Sequence, residues 1–420
     1  MIVQPEMRRR VVITGLGAVT PIGVGVDAFW HNLLAGVSGV GPITRFDAGD
    51  YPIQIAAEVK DFNSSDFFER KKARHLARIT QYGVAAAMMA LEDGEWDDKP
   101  GDGILGVANG VNNSAQDVLE ETVEKLQRHG HRRALPYLLT KGFPHSTASE
   151  AGQLTGFQSD VMTISTACSS GVNAVGYAFR QIRAGHGDVF CCSGTDATIA
   201  KYVFACFMRA GMLSSRSKAD AARASRPFDA KRDGGILGEG AGALLVEDLE
   251  HARRRGARIY AEILGFASSG IGYGTPQEKY VPAGMVSAME GALASANCSP
   301  ANIDYVGLHG VSDLNIDKWE TQALKTALDG DAYRIPMSSV KSMIGIAQNA
   351  AGVLQLIAAV KTMEESIIAP TTNYEYPDPE CDLDYVPNEA RRNRVDRALV
   401  LAHGFNGSDA AVVIGKPGTV

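Results

Sequence analysis

The chain has 420 residues, 45% of them hydrophobic and 21% charged, which supports one large body or two or three domains around a substantial core. A formal net charge of -7 excludes the basic surface that a nucleic-acid partner would need, and no run approaches the ~20 apolar residues of a membrane-spanning helix. The N-terminus lacks the continuous apolar core of a signal peptide, and six cysteines with no C-x-x-C pair and no zinc-like histidine spacing predict reduced thiols, no structural metal and a cytoplasmic protein.

Along the chain, residues 11–14 of RRVVITGLGAVTPIG read as a buried strand entering a glycine-rich turn, and VDAFWHNLLAG as a short amphipathic helix closed by Gly36. From His75, HLARITQYGVAAAMMALEDG reads as a longer helix with two apolar faces, suited to burial on both sides or to a subunit contact. ILGVANG is a buried strand, and 160–166 (DVMTIST) another that runs into Cys168. In SGVNAVGYAFRQIRAG, Val172, Val175, Phe179 and Ile182 form one helical stripe, with Gly185 as the C-terminal cap. DVFCCSGTD is the next strand.

From about residue 257 the pattern starts again. RIYAEILGFASS is a strand, AGMVSAMEGALASA a helix, IDYVGLHG a strand ending at His309, NAAGVLQLIAAVKTMEES a helix and ALVLAHGFNGSDAAVVIG a closing β-hairpin. Alternating strands and helices imply an α/β fold with helices on both sheet faces. Two comparable halves meeting near residue 255 imply an internal duplication.

Cys168 falls where a buried strand hands over to a helix. Its own amide and the following N–H groups are expected to aim at the sulfur, and the helix dipole to favour a thiolate. Ala167, Ser169, Ser170 and Gly171 leave room for a substrate and a tight turn, the thiol counterpart of a nucleophile elbow. The competing reading is a buried core cysteine, and Cys191, Cys192 and Cys206 are read that way. Three further constellations stand out: His309 just past a strand end, Lys341 after RIPMSSV, and the glycine-flanked turn of AHGFNGSD, whose amides can complete an oxyanion hole. A lone histidine at a strand end is more often a hydrogen-bonded structural residue, so none of the three decides anything alone.

In combination, the chain resembles the β-ketoacyl-acyl carrier protein synthases, the elongating ketosynthases of the thiolase fold. The resemblance spans nearly the whole chain and rests on RRVVITGLGAVTPIG, LLAGVSGVGPITRFDA, TISTACSSGVNAVGYAFRQIRAG, SRPFDAKRDGGILGEGAGALLVEDLEHARRRGARIYAEILGF, HG…D, VKSMIG…AAG and GFNGSD. It implies duplicated halves stacked as five αβαβα layers, with 1–255 carrying the nucleophilic cysteine and 256–420 carrying His309 and Lys341. A dimer is implied as well, a homodimer or a heterodimer with another ketosynthase-family subunit, with the active site near the contact.

By the same resemblance, Cys168 takes an acyl group from a pantetheine thioester, and the backbone N–H groups of Cys168 and Phe405 form the oxyanion hole. Lys341 organises the polar network. His309 is the first of two histidines that assist loss of CO₂ from malonyl-carrier protein. Acyl carrier protein is the implied partner; its phosphopantetheine arm arrives with the substrate, so no separate cofactor and no metal are implied. Parts of GVANGVNNSAQ and KYVFACFMRAGM are expected to line the acyl tunnel.

The departures from the family pattern surround one chemical task. The second histidine, five residues after Lys341, is Ile346; the threonines after the first are Val311 and Asp313, while the aspartate completing that motif survives as Asp317. Gln355 replaces a glutamate, His403 stands for a gating phenylalanine, and a Gly-Gly-Thr-Asn run is Asn406, Gly407, Ser408 and Asp409. An isoleucine donates no hydrogen bond, and losing one oxyanion donor costs about 2.7–4 kcal/mol in comparable sites. The expectation is an acyltransferase acting through acyl-Cys168 in polyketide or specialised fatty-acyl biosynthesis, with decarboxylative condensation altered or lost and His403 and Asp317 as supporting residues. The alternative is a non-catalytic or weakly catalytic partner like the chain-length factors, which usually lack the cysteine.

Overall fold

A computed structural model describes residues 9–96, 103, 105–113, 115–155, 160–270, 277–405 and 407–418. Asn406, Ile104, Ser114 and the N-terminal stretch read for a signal peptide lie outside the described residues.

Ten strands carry the architecture: β1 (Val11–Thr20), β2 (Leu105–Gly110), β3 (Asp160–Ile164), β4 (Val189–Asp196), β5 (Gly240–Asp248), β6 (Ala261–Gly270), β7 (Tyr305–Gly307), β8 (Met337–Ser338), β9 (Arg397–Gly404) and β10 (Ser408–Gly415). They lie in one mixed sheet in the order β8-β7-β9-β10-β6-β1-β5-β4-β2-β3, with the two-residue strand Gly23–Val24 added on β1. Outward from the β6–β1 contact the order repeats: β6, β10, β9, β7, β8 on one side and β1, β5, β4, β2, β3 on the other. In each half the two inner pairings are antiparallel and the two outer ones parallel. The halves join where Val11, Val12 and Ile13 pair with Ile263, Glu262 and Ala261.

The principal helices are α1 (Arg78–Asp93), α2 (Ser170–Arg183), α3 (Lys201–Arg209), α4 (Gln277–Ser295), α5 (Ile316–Leu328), α6 (Lys341–Ile344) and α7 (Gln348–Glu365). Helix α1 covers β1, β5 and β4 on one outer face, and α4, backed by α5, covers β6 and β10 on the other. Between the halves lie α2 and α7, packed on each other and each touching strands of both halves. The layers therefore run αβαβα. The sequence explains the central pair: α7 is buried from Gln348 through Val360 and has no polar face to offer water, so it fits only an interior layer. On α2 the Val172, Val175, Phe179, Ile182 stripe is buried as expected, and Ala174 and Ala178 bury a second face.

The strand expected to end at His309 stops at Gly307 and the helix expected from residue 283 begins at Gln277, and three further boundaries differ for reasons that packing and backbone conformation show. β1 runs on through Gly15 and Gly17 instead of turning, with a bulge between Ile13 and Gly15. The strand lies directly on α1 there: a Cβ on Gly15 or Gly17 would sit 2.0 Å from the carbonyl oxygen of Ala90 or Ala86. The helix expected from His75 begins at Arg78, because Leu76 is extended and buried and separates it from a short helix Arg70–His75. The 160–166 strand stops at Ile164, since Ala167 takes a left-handed φ of 53° to open the turn that holds Cys168.

Replacing Gly17 by Ala forces that backbone contact apart. It should lower unfolding stability by about 1–3 kcal/mol, read as a reduced urea midpoint at unchanged slope.

Candidate active site

The Cys168 turn is tied together by its own short side chains. Thr166 N–H donates to Ser170 Oγ at 2.8 Å, Ser170 Oγ donates to the Ala167 carbonyl at 2.5 Å, and Ser169 Oγ donates to the Thr166 carbonyl at 2.6 Å. These bonds hold Ala167 in a region that residues with a Cβ rarely occupy and lift the thiol out at the start of α2. From the other half, the end of the β9–β10 hairpin closes on this turn. Ser408 Oγ lies 3.2 Å from Ser169 Oγ, and a Cβ on Gly404 would be 2.7 Å from the Thr166 carbonyl oxygen. This brings the Phe405 backbone N–H to the Cys168 sulfur, where it donates together with the N–H of Cys168 itself; the Phe405 side chain is exposed.

Burial pushes the Cys168 thiol up to about 11 and the Asp196 carboxylate adds to it, against the lowering pull of Lys341 and the two N–H donors. Desolvation outweighs the amide dipoles on which the sequence reading relied.

Lys341 opens α6 and is buried, its Nζ donating to the His309 carbonyl oxygen. Burial brings the ammonium down to about 8, and the neighbouring Glu320, Cys168 and Asp317 act to raise it. Glu320 is fully buried on α5 and clamps the chain around His309, accepting from the N–H of His309 at 2.6 Å and of Gly310 at 2.7 Å. Burial, with Lys341 and His403 alongside, holds the His309 imidazole well below its ordinary range. The ring is therefore neutral, and its Nδ1 accepts the His403 backbone N–H at 3.1 Å, which leaves the proton on Nε2.

His403 and Asp409 face each other across the hairpin, and His403 Nδ1 meets Asp409 Oδ1 at 2.5 Å. The His403 ring stands edge-on to His309, with centroids 5.6 Å apart. Asp317 sits one layer back: it accepts from the N–H of Val311, Ser312 and Phe228 at 2.9, 3.1 and 2.9 Å and shapes the loop after His309. Burial raises its carboxyl to about 7. Gln355 braces the core, accepting from Val340 N–H at 3.1 Å and donating to Tyr305 OH at 3.0 Å.

A cavity of about 300 Å³ joins these groups: Cys168, His309 and His403 line it, with Ile346 and Val311 as apolar wall. Asn112 and Asn113, and Cys206, Phe207, Ala210 and Met212, complete it from the two segments expected to form a tunnel. Lys341 and Asp317 lie behind the lining. Cys191 and Cys192 are core residues, but Cys206 is exposed and faces this cavity, because only one side of α3 packs inward.

Two residues of this arrangement were not singled out from sequence. Glu320 falls one helical turn after Asp317, so a paired-carboxylate spacing was there to be read. Asp409 was noted as a replacement, but hairpin counting outward from Gly404 and Ser408 would have placed it opposite His403. Among the described residues, no cluster of histidine, cysteine and carboxylate side chains could hold a metal, and no helix is long and apolar enough to cross a membrane.

The beta-ketoacyl synthase N-terminal domain family matches residues 8–252, and the beta-ketoacyl synthase C-terminal domain family matches residues 260–375. The chain is 39% identical over 415 residues to 3-oxoacyl-[acyl-carrier-protein] synthase 2 of Synechocystis sp., covering 97% of this chain and 98% of that protein. It is 39% identical over 416 residues to the tetracenomycin polyketide synthase ketoacyl synthase alpha subunit of Streptomyces glaucescens, covering 97% of each. Among solved structures, the ishigamide ketosynthase/chain length factor superposes with a TM-score of 0.90 at 33% identity, over 98% of this chain and 100% of that one. With the five-layer fold and this spread of similarity, the chain belongs to the β-ketoacyl synthase family of the thiolase fold.

Proposed function

We propose that this chain is a ketosynthase-type acyltransferase that loads an acyl group from a carrier-protein thioester onto Cys168 and uses it without the usual decarboxylation of malonyl-carrier protein. One observation carries the reading: the Cys168 sulfur and two converging N–H donors share a cavity with His309 and with the hydrocarbon of Ile346. The thioester carbonyl fits between the N–H groups of Cys168 and Phe405, which stabilise the tetrahedral oxyanion as sulfur attacks. The acyl chain runs along Phe207, Ala210 and Met212. His309 Nε2–H offers one further donor, and across from it Ile346 offers none. An enolate formed by CO₂ loss would rest on half the usual imidazole support.

In this reading the partners are an acyl carrier protein, which brings its own phosphopantetheine arm, and a second ketosynthase-family subunit, identical or not. The Synechocystis 3-oxoacyl-[acyl-carrier-protein] synthase 2 and the ishigamide ketosynthase/chain length factor, by what their names say of them, support the two respectively. The division into 1–255 and 256–420 belongs to the same proposal and is supported by the repeated strand order. A second reading, a chain-length-factor-like partner subunit, draws on Ile346, on Val311 and on the ishigamide ketosynthase/chain length factor likeness. The presence of Cys168 with its two N–H donors favours the first.

Incubation with acyl-carrier protein should give an acyl adduct on Cys168 by mass spectrometry, absent in Cys168→Ala; no adduct with any carrier-bound acyl group refutes the enzyme reading. An obligate heterodimer whose activity ignores Cys168→Ala would establish the partner reading instead. Malonyl-carrier protein should release CO₂ poorly, and Ile346→His should raise that release by ~10²-fold or more, measured as acetyl-carrier protein formed. Alkylation of Cys168 by iodoacetamide should quicken as pH rises towards the thiol value of about 11. Lys341→Met removes the cation that favours the thiolate, so the thiol should titrate still higher and alkylation at a given pH should slow.

A further inference from the structure

A cysteine thiol is largely protonated near neutral pH, so acylation of Cys168 needs a group that takes the proton away. The titratable side chains lining the cavity are Cys168, Cys206, His309 and His403. His309 has no lone pair to give: Nδ1 is occupied by the His403 N–H, and Nε2 carries the proton. Lys341 donates to the His309 carbonyl from behind the lining, and both oxygens of Glu320 hold backbone N–H groups.

His403 has the opposite polarity to His309. Its Nδ1 meets the buried carboxylate of Asp409, which makes Nδ1 the protonated nitrogen and Nε2 the acceptor, and Nε2 has no hydrogen bond among the described residues. Asp409 is 1% exposed, and its other oxygen has no partner, so within the described residues its side chain serves this ring alone. The ring is further fixed by its edge-on contact with His309 and by backbone pairing within the hairpin. Gly404, the next residue, lies against the Thr166–Ala167 turn, so the hairpin that carries the ring also touches the segment that carries the thiol.

We propose that His403 is the general base of this site, positioned by Asp409. As Cys168 Sγ bonds to the thioester carbonyl carbon, its proton passes to His403 Nε2; as the bond from that carbon to the pantetheine sulfur breaks, the same proton passes to the departing sulfur. Atoms and charge balance with no further reactant. The inference rests on the acyl-transfer reading above, and it gives the site one imidazole that donates and one that accepts, where the family pattern has two serving decarboxylation.

The test follows acylation of the full chain by hexanoyl-pantetheine, with intact mass as the readout. His403→Phe, which installs the ring type of the family pattern, and Asp409→Asn should slow acylation by ~10²-fold or more while leaving the half-saturating thioester concentration unchanged. Asp409→Glu should recover part of the rate, and free imidazole should restore His403→Ala. A wild-type adduct together with an unslowed His403→Phe, or a folded His403→Ala that imidazole does not restore, overturns the proposal alone. A wild-type chain that forms no adduct with any thioester overturns the acyl-transfer reading as well.

Discussion

The site depends on one contact between the two halves: Gly404 against the Thr166 carbonyl and Ala167. The thiol belongs to the first half, while the second N–H donor at its sulfur, the ring of His403 and the loop of His309 belong to the second. They meet only because the hairpin end approaches the cysteine turn to a distance that any side chain at Gly404 would forbid. The repeated strand order and the shared α2–α7 layer hold the halves in this relation, so the five layers act as the jig that sets the donor positions.

Behind that contact lies a set of ionisable groups taken out of water: Lys341, Glu320, Asp317, Asp196 and Asp409 are all at most 2% exposed. Such burial is tolerable where a charge meets a partner: Glu320 accepts from two successive N–H groups, Asp317 from three, and Lys341 donates to a carbonyl. The same desolvation keeps the thiol and His309 neutral. Hydrogen bonds then set where each imidazole carries its proton: His309 Nδ1 accepts a backbone N–H, while His403 Nδ1 faces a carboxylate.

Much of this was legible in the sequence. Alternation of strands and helices, the closing hairpin, and the largely apolar run of α7 give the architecture, and the position of Cys168 between a strand and a helix marks the candidate nucleophile. What escaped was of two kinds. Glycines inside β1 look like a turn unless the helix pressed on them is known, and Leu76 breaks a helix for the sake of core packing that no local pattern announces. The amide dipoles that act on Cys168 are visible in the sequence, and the desolvation that opposes them is not. A core place for Cys206 follows from its helix-like run, and only the packing of α3 shows that this side faces away from the interior.

The repeat places Ile346 two residues before α7, as Cys168 stands two residues before α2. Each follows a residue of positive φ, Gly345 at 67° and Ala167 at 53°. Main-chain bonds secure the Ile346 position, its N–H on the Ile236 carbonyl at 2.6 Å and its carbonyl under the Gly238 N–H at 3.0 Å, and its side chain lies over Gly235. One bend thus presents a thiol and its twin a hydrocarbon to the same chamber, so the chamber's character at that point is set by a single side chain on a backbone that both halves share.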